Sequence, residues 1–304
     1  MEVQLVEHVR QTFVWIGSPL HHIPVFDYLF TEFAVGYEWV MLNIGYILIV
    51  ALLPPLLRLF NVGRIPLGPI PIIHNFFLCF WSLYMVIQTG RWVYDEGSTH
   101  GREGLFCDSA ALWNSFESRP YFYFYMFYIS KYYEFIDTII LILRRKKLLT
   151  LHVWHHITTS LMHSMTYYHF VGVVWIGVML NGTIHVFMYF YYGASELFSY
   201  QPWWKRYLTK AQITQFYLGL LISYGWVYFK WYKQMPCSGT YSSFFLPQLI
   251  VVTFIFLFLS FYAASYLRQG PTGTTIKSPP RGGGEDRYST QKEKQAKQEA
   301  KKLK

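Results

Sequence analysis

The chain has 304 residues, of which 53% are hydrophobic, 21% aromatic and only 14% charged. A soluble domain would carry roughly a quarter charged residues, so this composition excludes an ordinary soluble protein and points to the membrane. The net charge of +9 is divided among short segments and a tail, which argues against nucleic acid as a partner.

Residues 1–34 lack a basic start followed by an apolar run, so no cleavable signal peptide is expected. Long stretches almost free of charge follow at 36–57, 70–90, 172–193, 211–229 and 244–267, the first holding only Glu38. About 20 such residues cross the hydrocarbon core as a helix. Two further stretches have the length of a span but are interrupted, 120–143 by Lys131, Glu134 and Asp137 and 148–171 by histidines. Backbone in lipid must be satisfied internally, and nothing alternates like barrel strands. The expected fold is therefore an all-α membrane protein with seven transmembrane helices. It divides into an N-terminal segment (1–35), a seven-helix domain (36–267) and a disordered basic tail (268–304) rich in Gly, Pro, Lys and Glu.

With seven spans, four basic segments fall on one side: Arg58 and Arg64; Arg144, Arg145, Lys146 and Lys147; Lys205, Arg206 and Lys210; and the tail. Asp95, Glu96, Glu103, Asp108 and the amino terminus fall on the other. The positive-inside rule makes the basic side cytosolic. Cys79 lies within the second span, whereas Cys107 and Cys237 are non-cytosolic. Those two could be bridged if that side is an oxidising lumen, but sequence does not show that they approach. Asn181, Gly182 and Thr183 match a glycosylation sequon inside a span and are discounted. The carboxyl end, Lys301-Lys302-Leu303-Lys304, resembles a di-lysine retrieval signal of endoplasmic reticulum membrane proteins, with a plain basic tail as the alternative.

Polar residues inside a membrane point to function. His152, His155 and His156 share one helix face, and His163 lies on the same stripe about two turns deeper. Helical rise places His155 about 10 Å and His185 about 12 Å from the cytosolic surface, with Glu134 and Asp137 within roughly 9–14 Å of it. Gln212 and Gln215 open the sixth span at the same edge. Four helices thus contribute polar groups to one layer, which reads as one site. A Lys131–Glu134 ion pair would ease burial, although its desolvation cost can exceed the Coulomb gain. Asp137 could orient a histidine by accepting its second ring proton. A purely structural role for these three is the alternative.

Four motifs occur in series: Lys131, Glu134, Asp137 and Thr138; the box His152-Val153-Trp154-His155-His156; Asn181, His185, Met188, Tyr189, Tyr191 and Tyr192; and Thr209, Gln212 and Gln215. Together they resemble the ELO family of very-long-chain fatty acid elongases, over about residues 36–267. The resemblance implies an endoplasmic reticulum protein whose second to seventh helices form a barrel around a substrate tunnel, with the first helix outside. The amino terminus would be lumenal and the carboxyl terminus cytosolic. It implies condensation of a long-chain acyl-CoA with malonyl-CoA to 3-oxoacyl-CoA, CO2 and CoA, with no metal or other cofactor. A lumenal disulfide between Cys107 and Cys237 is also implied. Implied partners are the two CoA substrates, membrane lipid and other elongation-cycle enzymes; family members often self-associate, which leaves a homo-oligomer open.

Carried onto this chain, the resemblance makes His155 the nucleophile, forming an acyl-imidazole. His185 would face it across the tunnel, and His152 and His156 would position and tune, with Asp137 and Glu134 behind them. Gln212, Gln215, Lys205 and Arg206 would contact CoA, and Lys131, Asn181, Tyr189 and Tyr192 complete the candidate substrate-binding set. The basic loops could equally be topology signals alone. Cys79, embedded among apolar residues, is a poor rival nucleophile. The aromatic run 121–133 suits helix packing better than acyl-chain recognition. A membrane di-iron desaturase or hydroxylase would need several histidine boxes, and this chain has one. A histidine-relay transporter would also use buried charges, but would consume no malonyl-CoA.

Overall fold

The computed structural model describes residues 38–107, 119–168, 171–199 and 202–267. All regular structure among them is helical: α1 (Glu38–Leu59), α2 (Ile70–Thr99), α3 (Gly101–Phe106), α4 (Arg119–Tyr133), α5 (Phe135–Leu143), α6 (Thr150–Tyr168), α7 (Val174–Leu197), α8 (Lys205–Val227) and α9 (Tyr241–Tyr262). Helices α8 and α9 continue into π-helical turns, Tyr228–Tyr232 and Ala263–Leu267. The expected N-terminal segment and basic tail, with its di-lysine end, lie outside the described residues, as does Asp108.

Among the described residues, four helical segments are long and apolar enough to cross a membrane: Val40–Leu59, Ile70–Thr99, Val174–Leu197 and Tyr241–Leu267. The stretch 120–143 is not one continuous helix. It breaks at Glu134 into α4 and α5, where Asp137 N–H donates to Glu134 O at 3.0 Å, an i to i+3 bond. α8 begins at Lys205 rather than 211, so Gln212 and Gln215 sit inside the helix and not at its edge. α2 runs on to Thr99 instead of stopping at Gly90. The apolar pattern marks where hydrocarbon would end, and a helix can continue past it into water, here finished by the Glu96–His100 contact at 2.9 Å.

The helices pack α2 against α7, α7 against α8, α8 against α9, α9 against α6, α6 against α4, and α4 against α2, with further contacts of α7 to α4 and to α6. α1 lies against α5 and α6. Leu52, Leu221, Leu249 and Phe256 are among many large apolar side chains left exposed, more surface than a soluble protein leaves in water. Inside, Phe124 and Phe127 of α4 pack on Met85 of α2 and Val178 of α7. Phe216 of α8 packs on Phe254 and Phe258 of α9. Phe124, Tyr125, Phe127 and Tyr128 are all buried, so these members of the aromatic run are packing residues.

One end of the bundle is closed by apolar packing around a disulfide. The bond joins Cys107, after α3, to Cys237, in the connection before α9. Beside it Trp226 stacks on Phe244 with centroids 4.7 Å apart, and its indole N–H donates to Ser238 O at 2.9 Å. Gly172 is required here: a Cβ would stand 2.4 Å from the Phe106 carbonyl oxygen. Thr240 and Ser243 form a capping box that starts α9.

Candidate active site

The turn at Glu134 sets the geometry of the polar layer. Lys131, at the end of α4, reaches Glu134 Oε1 with Nζ at 2.7 Å, and both side chains are buried. Nζ also donates to Asn181 Oδ1 of α7 at 3.1 Å and lies 4.3 Å from the Phe127 ring centroid. The ammonium is thus surrounded by a carboxylate, an amide oxygen and a π face, which offsets part of the cost of burying it. The same Glu134 oxygen is 3.4 Å from His185 Nδ1 of α7, while Oε2 is buried with no hydrogen-bond partner.

Asp137, one turn further along, is held by two other helices. His74 Nε2 of α2 is 2.8 Å from Oδ1, and the Tyr189 hydroxyl of α7 donates to Oδ2 at 2.8 Å. Asp137 does orient a histidine, but it is His74 and not one of the box. Behind His152 stands Thr138 instead: Thr138 Oγ1 is hydrogen-bonded to His152 Nε2 at 2.8 Å and to the Tyr46 hydroxyl of α1 at 3.0 Å. Glu134 likewise faces His185 rather than His152 or His156. Neither carboxylate is therefore the direct hydrogen-bond partner of a box histidine. The turn at Glu134 rotates the two carboxylates toward α7 and α2, leaving the neutral Thr138 to meet α6.

The three box histidines do share a face of α6. The rings of His152 and His156 are 4.4 Å apart, and those of His155 and His156 are 5.6 Å apart. His156 is buried, with Nδ1 unpartnered. His155 faces α7 and α9, its ring 6.4 Å from His185 and 5.2 Å from Phe254. Its imidazole takes no hydrogen bond among the described residues, and it is only partly buried. His163, deeper on the stripe, turns back on its own helix, with Nδ1 2.8 Å from Thr159 O.

The remaining candidates separate into two groups. Lys131, Asn181 and Tyr189 have polar atoms turned onto protein partners, so their visible role is positioning. Gln215 Oε1 is buried and unpartnered, and Gln212 Nε2 rests 3.6 Å from Met188 Sδ. Lys205 and Arg206 lie apart, exposed at the start of α8, roughly 10 Å along the helix from Gln212. Arg206 Nε donates to the Tyr262 hydroxyl at 2.8 Å. Tyr192 is 44% exposed, its ring 6.4 Å from that of Tyr189. Cys79 is a free buried thiol that donates to Val186 O at 3.4 Å. Among the described residues, no three His, Cys, Asp or Glu side chains gather as a metal ion would need.

Sequence reasoning left His74 and Tyr46 out of the site. His74 had a legible signal, as the one histidine in the apolar stretch 70–90. Tyr46 had none, since an aromatic in a lipid-facing helix is ordinary.

Comparison with known proteins identifies the family. The model of the ELO, or GNS1/SUR4, family matches residues 36–274. Fatty acid elongase A of Dictyostelium discoideum is 33% identical over 215 residues, covering 69% of this chain and 76% of that protein. Very long chain fatty acid elongase 5 is 30% identical over 252 residues in Tachysurus fulvidraco, covering 80% and 79% of the two chains. The human protein of that name is 31% identical over 241 residues, covering 75% and 74%. The chain belongs to the ELO (GNS1/SUR4) family and is a fatty acid elongation enzyme of the membrane.

Proposed function

We propose that the chain condenses a long-chain acyl-CoA with malonyl-CoA to give 3-oxoacyl-CoA, CO2 and CoA, carrying the acyl group on His155. The observation that carries this reading is the His155–His185 pair: two imidazoles from facing helices, 6.4 Å apart, with His155 unbonded and His185 backed by the Lys131–Glu134 pair.

In the first half-reaction a neutral His155 nitrogen attacks the thioester carbonyl carbon. The carbon–sulfur bond breaks, and CoA leaves as the thiol with the imidazole proton. In the second, the malonyl carboxylate leaves as CO2 and its electron pair forms the thioester enolate. That carbon attacks the acyl-imidazole, the carbon–nitrogen bond breaks, and the imidazole regains a proton from water. With Glu134 taking Nδ1, Nε2 is the His185 atom left to stabilise the enolate oxygen. Asp137, His74, Thr138 and Tyr46 keep the two histidine-bearing helices in register. Gln212, Gln215, Lys205 and Arg206 approach the CoA moieties.

The cyclic order of helix contacts supports six spans around a tunnel, with α4 and α5 together forming one of them and α1 outside. The basic segments support a cytosolic opening in the endoplasmic reticulum membrane, with the disulfide end lumenal. The test is incorporation of radiolabelled malonyl-CoA into a panel of acyl-CoAs by purified protein, with His155→Ala and His185→Ala alongside. A 3-oxoacyl-CoA two carbons longer, lost in His155→Ala, is the expected result, together with an acyl adduct on His155 by peptide mass spectrometry. Folded protein that makes no malonyl-dependent product and contains stoichiometric iron would instead be a desaturase or hydroxylase.

A further inference from the structure

A second polar feature lies away from the histidines, where the α1–α2 connection meets the end of α5. A cavity of about 350 Å³ opens there, lined by Arg64, Pro66, Gly68, Pro71 and Arg144 among others. That is at the small end of ligand sites, which run roughly 300–1,000 Å³. The connection is pinned rather than loose. Ile65 N–H donates to Leu143 O at 3.0 Å, and Arg145 donates to Leu57 O at 2.7 Å and to Val62 O.

Charge around this cavity is unbalanced. Glu196 takes both Arg144 and Lys146, the latter at 3.6 Å, so one carboxylate serves two cations. Arg64 has no carboxylate partner among the described residues and is exposed. Burial first, then the like charge of Arg144, push the Lys146 ammonium below the usual lysine range. The N-terminus of α2 reaches the cavity at Pro71 with no acidic residue in its first turn, which adds positive potential. Beside the cavity, at the end of α1 and the start of α2, Phe60, Ile70 and Ile73 are each more than half exposed. Cations edged by exposed apolar side chains match a phosphate at the bilayer surface with acyl tails beside it.

We propose that this cavity binds a phosphate ester at the membrane boundary, its source the headgroup of an anionic phospholipid, with Arg64 and Arg144 as the phosphate contacts. The full chain in neutral detergent would be titrated with dioctanoyl phosphatidic acid. Dioctanoylglycerol is the phosphate-free control and CoA the soluble phosphate source, with bound ligand counted by native mass spectrometry. One phosphatidic acid per chain is expected, with no uptake of the diacylglycerol. Arg64→Glu should weaken that binding at least tenfold while CoA affinity and the KM for malonyl-CoA stay unchanged. Arg64→Gln, a milder change, should weaken it several-fold and guards against a folding defect. Phosphatidic acid binding that survives both substitutions overturns the proposal. So does a loss confined to CoA, which would assign the arginines to the soluble substrate; elongation activity is read separately in either case.

Discussion

The two ends of the bundle are built on opposite terms. At the disulfide end Trp226 stacks on Phe244, Gly172 leaves no room for a Cβ, and Lys230 Nζ donates to Cys237 O at 2.8 Å. In the polar layer, by contrast, Glu134 Oε2, His156 Nδ1, His74 Nδ1 and Gln215 Oε1 are all buried without a partner. Native proteins leave few buried polar groups unpaired, because each costs about 1–3 kcal/mol. Three further unpaired atoms, Trp81 Nε1, Thr89 Oγ1 and Ser195 Oγ, lie elsewhere, so four of the seven among the described residues fall in this layer. The closed end holds helices together; the polar layer leaves four buried polar atoms unpaired, as the proposed active site would.

That contrast can be broken in order of expected effect. His155→Ala removes a side chain that makes ring contacts but no hydrogen bond among the described residues. Turnover should fall on the order of 10³-fold with melting temperature nearly unchanged, as read by labelled malonyl-CoA incorporation beside thermal unfolding. A loss of fold instead would make His155 structural. Lys131→Met leaves Glu134 buried and uncompensated, so a stability loss of about 3–5 kcal/mol is expected. Combining it with Glu134→Met should recover part of that stability but none of the activity, a result that separates holding from chemistry. Cys107→Ala opens a link between residues 130 apart in sequence and should cost roughly 2–5 kcal/mol in stability. Turnover per folded molecule should be unaffected, and a fall in kcat at a temperature well below melting would show that the two ends are coupled. Asp137→Asn keeps the shape but loses the charge that holds His74. Turnover should drop about 10- to 100-fold, and Tyr189→Phe should reproduce only part of that drop. Smallest of all, Arg206→Gln should raise the KM for CoA substrates by roughly two- to fivefold and leave kcat alone. No change in KM would make the basic start of α8 a topology signal only.

Much of this is legible in the sequence. Apolar stretches of about 20 residues fix an all-helical membrane protein, because lipid offers the backbone no other partners. Polar residues in such stretches are few enough that each one is informative, which is how Lys131, Glu134, the histidine box and His185 stand out from the chain alone. Helical spacing also determined that the three box histidines share a face, since that depends only on local geometry. Spacing could not determine which partner each polar atom meets. A one-residue turn at Glu134 sends Asp137 to His74 and Tyr189, Glu134 to His185, and Thr138 to His152. Those pairings join residues 14 to 63 positions apart in sequence. They are set by how the helices rotate against one another, and that rotation is decided by packing across the whole bundle, which no local pattern records.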